Sequence, residues 1–152
     1  DYLQAGPEDN LSLIAELYMA LTGLNAYQYL LVMATLDTIV GNEDRHYNNF
    51  GVLLNLRDKS YSLPPLFDFG LGLFEHDRKY EGLPYKERIA LMQCKPFVLE
   101  NDRLVSFLRA NHSDFLHTFL PASVRVSSFE FPSEEAESYF RNRNILLGVS
   151  LK

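Results

Sequence analysis

Apolar residues recur with a helical period through the first forty or so positions of this chain, and with a shorter period immediately after. Leu11, Ile14, Leu17, Tyr18 and Leu21 fall at helical spacing, which stacks side chains along one face of an α-helix. Pro7-Glu8-Asp9-Asn10 places acidic and capping residues ahead of them, and Gly23 ends the run. A second helix is expected from about Asn25 to Val40. It is apolar nearly all round, the pattern of a helix buried on most faces. Gly41-Asn42 stops it and delivers the chain to a polar loop.

The period then changes. Phe50 to Leu56 is a short apolar run suited to a strand, and Arg57-Asp58-Lys59-Ser60 is a polar turn. Tyr61-Ser62-Leu63 returns as a second strand until Pro64-Pro65 ends it. Gly70 to Pro84 is glycine-dotted and charged, which reads as a mobile segment. Three further helices are expected: Tyr85 to Met92, Asp102 to Asn111 continuing towards Leu120, and Ser133 to Leu147. There is no internal repeat and no low-complexity tract. The expectation is one domain over residues 1–152, mainly α with a small β-hairpin.

Chemistry concentrates where the helical pattern breaks. Asp44 is followed five residues later by Asn49, and the hairpin leads to Asp68-Phe69-Gly70. Asp-x-x-x-x-Asn followed by Asp-Phe-Gly is the order and spacing that phosphoryl transfer uses in protein kinases. On that pattern Asp44 is the candidate general base, and Asn49 and Asp68 are the candidate Mg²⁺ ligands that set the metal against ATP. Carboxylate and amide oxygens suit Mg²⁺, which prefers hard oxygen donors and keeps some of its waters. The hairpin would bring Asp68 back beside Asn49, so that one metal can see both. A loop Asp that merely turns the backbone is the bland alternative for Asp44, and the combined spacing argues against it.

His46 is a candidate catalytic residue with two open roles, orienting the loop through the backbone around Asp68 or touching the transferred phosphate. The first is preferred. Asp37 sits on the otherwise apolar helix before the loop, where a polar group needs a partner. It either fixes the loop through Arg45 or a backbone amide, or caps the helix end. Lys95, in Cys94-Lys95-Pro96-Phe97, reads as a solvated helix-end lysine.

Composition narrows the classes. A net charge of −6, with no run of basic residues, argues against direct nucleic-acid binding. The single cysteine, Cys94, excludes an internal disulfide and a cysteine-built zinc site, and reads as a small buried hydrophobe. His46, His76, His112 and His117 are too scattered for zinc. The longest apolar stretch, Tyr29 to Val40, is too short to cross a bilayer. No Lys or Arg precedes Arg45, so the lysine that pairs nucleotide phosphates and the glycine-rich cover over them are missing, which reads as a kinase large lobe either cut from a longer protein or built as a truncated one.

Gly-Asn-x-Asp-Arg-His-x-x-Asn followed by Pro-Leu-Phe-Asp-Phe-Gly resembles the HipA family of bacterial serine/threonine kinases, over Asp37 to Gly70. The resemblance implies an all-helical, protein-kinase-like large lobe carrying Asp44, Asn49 and Asp68, with the N-terminal lobe absent. It implies ATP and Mg²⁺ as cofactors, a protein substrate, a DNA-binding antitoxin as partner, and a bacterial cytoplasmic setting, with which the poverty in cysteine is compatible. The Asp-Arg-His-x-x-Asn core is also similar to that of phosphoinositide kinases, which keeps a lipid or small-molecule kinase in view. A third class is a non-catalytic module that keeps a kinase fold for binding. On the first reading, the isolated chain is expected to transfer little phosphate.

Overall fold

Left-handed glycines set the limits of the first two helices. The computed structural model describes residues 7–70, 72, 82–84, 87, 91, 93–94, 99–112 and 114. Helix α1 runs Pro7–Thr22. It ends where Gly23, at φ 76°, donates its N–H to Met19 O at 2.9 Å. A positive φ costs glycine little because it has no Cβ. Thr22 Oγ1 closes the same turn by donating to Tyr18 O at 2.6 Å and accepting from Leu24 N at 3.3 Å. Helix α2 runs Tyr27–Val40, with Asn25 Oδ1 accepting the Tyr27 N–H at its start and Gly41 at φ 66° as its left-handed end.

The near-continuous apolar character of α2 is matched by its burial, and Gln28 is its one exposed residue. Helix α2 packs against both α1 and α3, the latter spanning Asn101–Asn111. Leu11, Ile14 and Tyr18 of α1 join Leu30, Met33 and Ala34 of α2 and Leu104, Val105 and Leu108 of α3 in one core. Two buried threonines lie within α2. Thr35 Oγ1 donates to Leu31 O and Thr38 Oγ1 to Thr35 O, both at 2.7 Å, which satisfies each hydroxyl inside the helix.

Not every periodic position of α1 faces that core. Leu17 and Leu21 are 51% and 75% exposed and line up with Leu13 on a second apolar face. The helical spacing that selected them is real, but the apolar stripe is wider than the surface α2 covers.

Strands β1 (Leu53–Leu54) and β2 (Tyr61–Ser62) form the expected antiparallel hairpin, pairing Leu53 with Ser62 and Leu54 with Tyr61. The ladder is shorter than the apolar run from Phe50 to Leu56 suggests, and all four of its residues are exposed. Its turn is held by polar contacts: Asn55 Oδ1 accepts Arg57 N, and Asp58 Oδ1 accepts both the amide and the hydroxyl of Ser60. A second hairpin, β3 (Gln93–Cys94) with β4 (Leu99–Glu100), rests on α3. Cys94 lies in strand β3, and Lys95, expected at a helix end, lies outside the described residues.

The described part is mainly helical with two small antiparallel hairpins. Glu87 and Leu91 are helical within the expected Tyr85–Met92 element, and α3 matches the expected 102–111 helix. His112 leaves the helix. The continuation towards Leu120, the Ser133–Leu147 helix and nearly all of the Gly70–Pro84 segment lie outside the described residues. Among the described residues no helix is long and apolar enough to cross a membrane.

Candidate functional site

Helix α2 ends by placing a carboxylate where one is hardest to keep. Asp37 lies in the last turn, at the negative end of the helix dipole, with its side chain 3% exposed. Burial pushes its carboxyl above the usual range, and hydrogen bonds and charge from Arg45, with a further bond from Asn42, pull it back. Arg45 grips it with two prongs, Nε to Oδ2 at 2.8 Å and Nη2 to Oδ1 at 2.7 Å. Of the two roles open to Asp37, fixing the loop through Arg45 is the one the structure has. The end of α2 is capped by backbone instead, since Asp37 O accepts the N–H groups of Gly41 and Asn42.

Arg45 also reaches forward. Its Nη1 donates to Phe67 O at 2.8 Å, and its guanidinium carbon lies 4.8 Å from the centre of the Phe69 ring, within cation–π range. One side chain thus joins the helix end, the loop and the Asp68-Phe69-Gly70 segment. The segment is docked again at Gly72, where an added Cβ would lie 3.2 Å from Val40 Cγ2 and 3.3 Å from Val40 O. A larger residue at position 72 would need Val40 to give by a few tenths of an ångström.

Asn49 and Asp68 are brought together as expected. Asn49 closes a short 3₁₀ turn, Tyr47–Asn49, and is 2% exposed. Its Nδ2 donates to Asp68 Oδ2, and its Oδ1 accepts the His46 N–H at 3.0 Å. Asp68 itself is exposed and has φ 62°. A non-glycine residue with positive φ is uncommon, Asp being among the more tolerant, and such positions concentrate at functional sites. Asp44 is partly exposed, and its backbone N–H donates to Asn42 Oδ1 at 3.3 Å.

His46 does not make the preferred contact. Its Nε2 lies 4.0 Å from Asp44 Oδ2, its Nδ1 is buried without a hydrogen-bond partner, and the backbone around Asp68 is held by other residues. Arg45 takes Phe67 O, and Asn42 Nδ2 takes Asp68 O at 3.4 Å. His46 leads into the 3₁₀ turn with extended backbone, and its ring lies on the Asp44 side.

Sequence reasoning passed over Asn42 and Tyr18. Asn42 two residues before Asp44 is an Asx-turn spacing, and that was the available signal. Tyr18 read only as a core position. Its hydroxyl accepts Gly51 N at 3.0 Å and donates to Gly51 O at 3.1 Å, clasping α1 to the chain just beyond Asn49.

As donors, Asn49 and Asp68 offer an amide and a carboxylate, the hard-oxygen chemistry that fits Mg²⁺. A half-turn of the Asn49 carboxamide exchanges its oxygen and nitrogen, giving up the His46 bond and presenting oxygen beside Asp68. Among the described residues no group of three His, Cys, Asp or Glu side chains could hold a metal, so the candidate is this pair. Comparison with protein-family models, curated proteins and solved structures finds no match to this chain.

Proposed function

We propose that this chain is the catalytic large lobe of a HipA-like, ATP- and Mg²⁺-dependent serine/threonine protein kinase. The observation that carries the reading is the meeting of Asn49 and Asp68 side chains across the hairpin, with Asp44 on the loop between α2 and the 3₁₀ turn. Nothing in the helical pattern requires two such residues to converge on a partly exposed surface. In this reading Asn49 and Asp68 hold Mg²⁺, which when bound neutralises charge on the nucleotide phosphates. Asp44 accepts the proton of the substrate hydroxyl as that oxygen bonds the γ-phosphorus and the bond to the leaving ADP breaks. Its partial exposure suits a base that must meet a protein side chain, and His46 stands beside it at 4.0 Å.

The nucleotide-gripping lysine and glycine-rich cover come, in this proposal, from an N-terminal lobe outside these residues. A protein substrate and a DNA-binding antitoxin partner follow from the resemblance alone. The test is phosphate transfer from radiolabelled ATP to mixed protein, with a HipA-type N-terminal lobe added, beside calorimetric titration of Mg²⁺–ATP. Asp44→Asn is expected to lower transfer about 10²–10⁴-fold while keeping nucleotide affinity, and Asp68→Ala to lose affinity. Near-normal transfer by Asp44→Asn removes Asp44 from the mechanism. Equal affinity in wild type and Asp68→Ala removes the metal site.

A further inference from the structure

We propose that Asn42 is a positioning residue that locks the backbone of Asp68 in its left-handed conformation and ties it to Asp44. The inference rests on the kinase reading for its purpose, though not for its geometry.

Asn42 is 1% exposed, and its amide serves three aspartates. Oδ1 accepts the Asp44 N–H at 3.3 Å, while Nδ2 donates to Asp37 Oδ1 at 2.8 Å and to Asp68 O at 3.4 Å. The last bond matters because of what Arg45 does one residue earlier. Arg45 Nη1 holds Phe67 O at 2.8 Å, so the carbonyls on both sides of the Asp68 Cα are held by buried side chains. Peptide groups are planar, which leaves φ and ψ as the only soft backbone dihedrals between two carbonyls. Restraining both carbonyls therefore restrains both angles, and φ at Asp68 is 62°. Left to itself a residue with a Cβ leaves this region, and it persists where the surroundings over-determine it.

The two clamps are themselves fixed to one another. Arg45 Nη2 and Asn42 Nδ2 both donate to Asp37 Oδ1, so Asp37 orients the pair. Asparagine is the residue this position requires. Aspartate keeps the acceptor for Asp44 N–H but loses the donor and sets a carboxylate against Asp37. Serine, smaller and uncharged, keeps a short hydroxyl that does not span the three partners.

The test uses the complete isotope-labelled chain and two readouts. Asp68 Cα and Cβ chemical shifts with its amide–Hα coupling report the backbone conformation, and paramagnetic relaxation by Mn²⁺ reports metal affinity. Leu30→Ala is the control, because Leu30 is fully buried in α2 and roughly 10 Å along the helix from Asp37. It lowers stability without touching the clamp. In Asn42→Asp and Asn42→Ser the left-handed signature of Asp68 is expected to disappear, and Mn²⁺ affinity to fall about 10-fold, as for other residues that orient metal ligands. Leu30→Ala is expected to keep both. Where Asn42→Asp fails to fold, Asn42→Ser gives the result. Retention of the left-handed signature in Asn42→Ser, or its equal loss in Leu30→Ala, overturns the proposal. Loss of the signature in the Asn42 variants, with no Mn²⁺ binding by wild type, supports the clamp and overturns the kinase reading alone.

Discussion

Arg45 and Asp37 form a two-pronged ion pair inside the protein, with Nη2 2.7 Å from Oδ1 and neither side chain more than 3% exposed. A buried pair of this kind is weak evidence for stability, because taking two charges out of water offsets much of their attraction. Its value here is geometric. Arg45 is held by its Nε and Nη2, which frees Nη1 to bind Phe67 O and so fixes the chain that presents Asp68.

Breaking the pair from one side leaves a buried charge without its partner. Arg45→Met is expected to cost about 3–5 kcal/mol in denaturant unfolding. Adding Asp37→Leu removes the stranded carboxylate and should restore part of the loss, although the bond to Phe67 O is not recovered. A double variant as unstable as the sum of two single variants would mean that the charges do not interact in the folded state.

The helices were legible because glycine and periodicity act locally. Gly23 and Gly41 mark the ends of α1 and α2, and the charge at Asp37 within an apolar helix announced a buried partner. The approach of Asp68 to Asn49 was legible for a similar reason, since a hairpin returns the chain near its start. What the pattern did not contain was three-dimensional choice. Leu17 and Leu21 fall at helical spacing just as Leu11 and Ile14 do, and the placement of α2 decides which pair is covered. Asn42 looked like a helix stop because its three bonds reach residues up to 26 positions away. The β3–β4 hairpin was missed because Gln93 and Cys94 carry no strand alternation.

Tyr18 makes a prediction about high pH. Tyr18→Phe leaves the N–H and C=O of Gly51 without their shared partner and should cost about 1–3 kcal/mol, read by urea unfolding at neutral pH. Burial pushes the Tyr18 phenol above its ordinary value, with the Gly51 bond opposing this. The folded protein therefore holds the phenolic proton more tightly than the unfolded chain does. The stabilising contribution is complete below the unfolded value near pH 10 and is lost as pH rises through the folded one. Wild type should lose stability more steeply than Tyr18→Phe above about pH 10. Some dependence stays in the variant, since burial raises the Tyr29 phenol as well. Parallel curves for the two proteins would show that Tyr18 ionises as freely folded as unfolded.

Asp68 separates the demands of folding from those of metal binding. Its φ of 62° places a Cβ close to its own backbone, a strain of about 1–2 kcal/mol that glycine escapes. Asparagine and aspartate tolerate the region better than alanine does. Asp68→Gly is therefore expected to be about 1 kcal/mol more stable than Asp68→Ala, after allowance for the greater freedom of glycine in the unfolded chain. Asp68→Asn should stay near wild type, because it keeps the shape and drops only the charge. The order changes when Mg²⁺ is added. At about ten times its dissociation constant a bound ion stabilises the folded state by about 1.4 kcal/mol. Only the protein with the carboxylate should gain that amount. Urea unfolding of the four proteins, with and without Mg²⁺, gives both orders in one experiment. Equal stability of the glycine and alanine variants would remove the left-handed strain. An equal Mg²⁺ gain in wild type and Asp68→Ala would place the ion away from Asp68, and the pairing of Asn49 with Asp68 would then be a structural bond only.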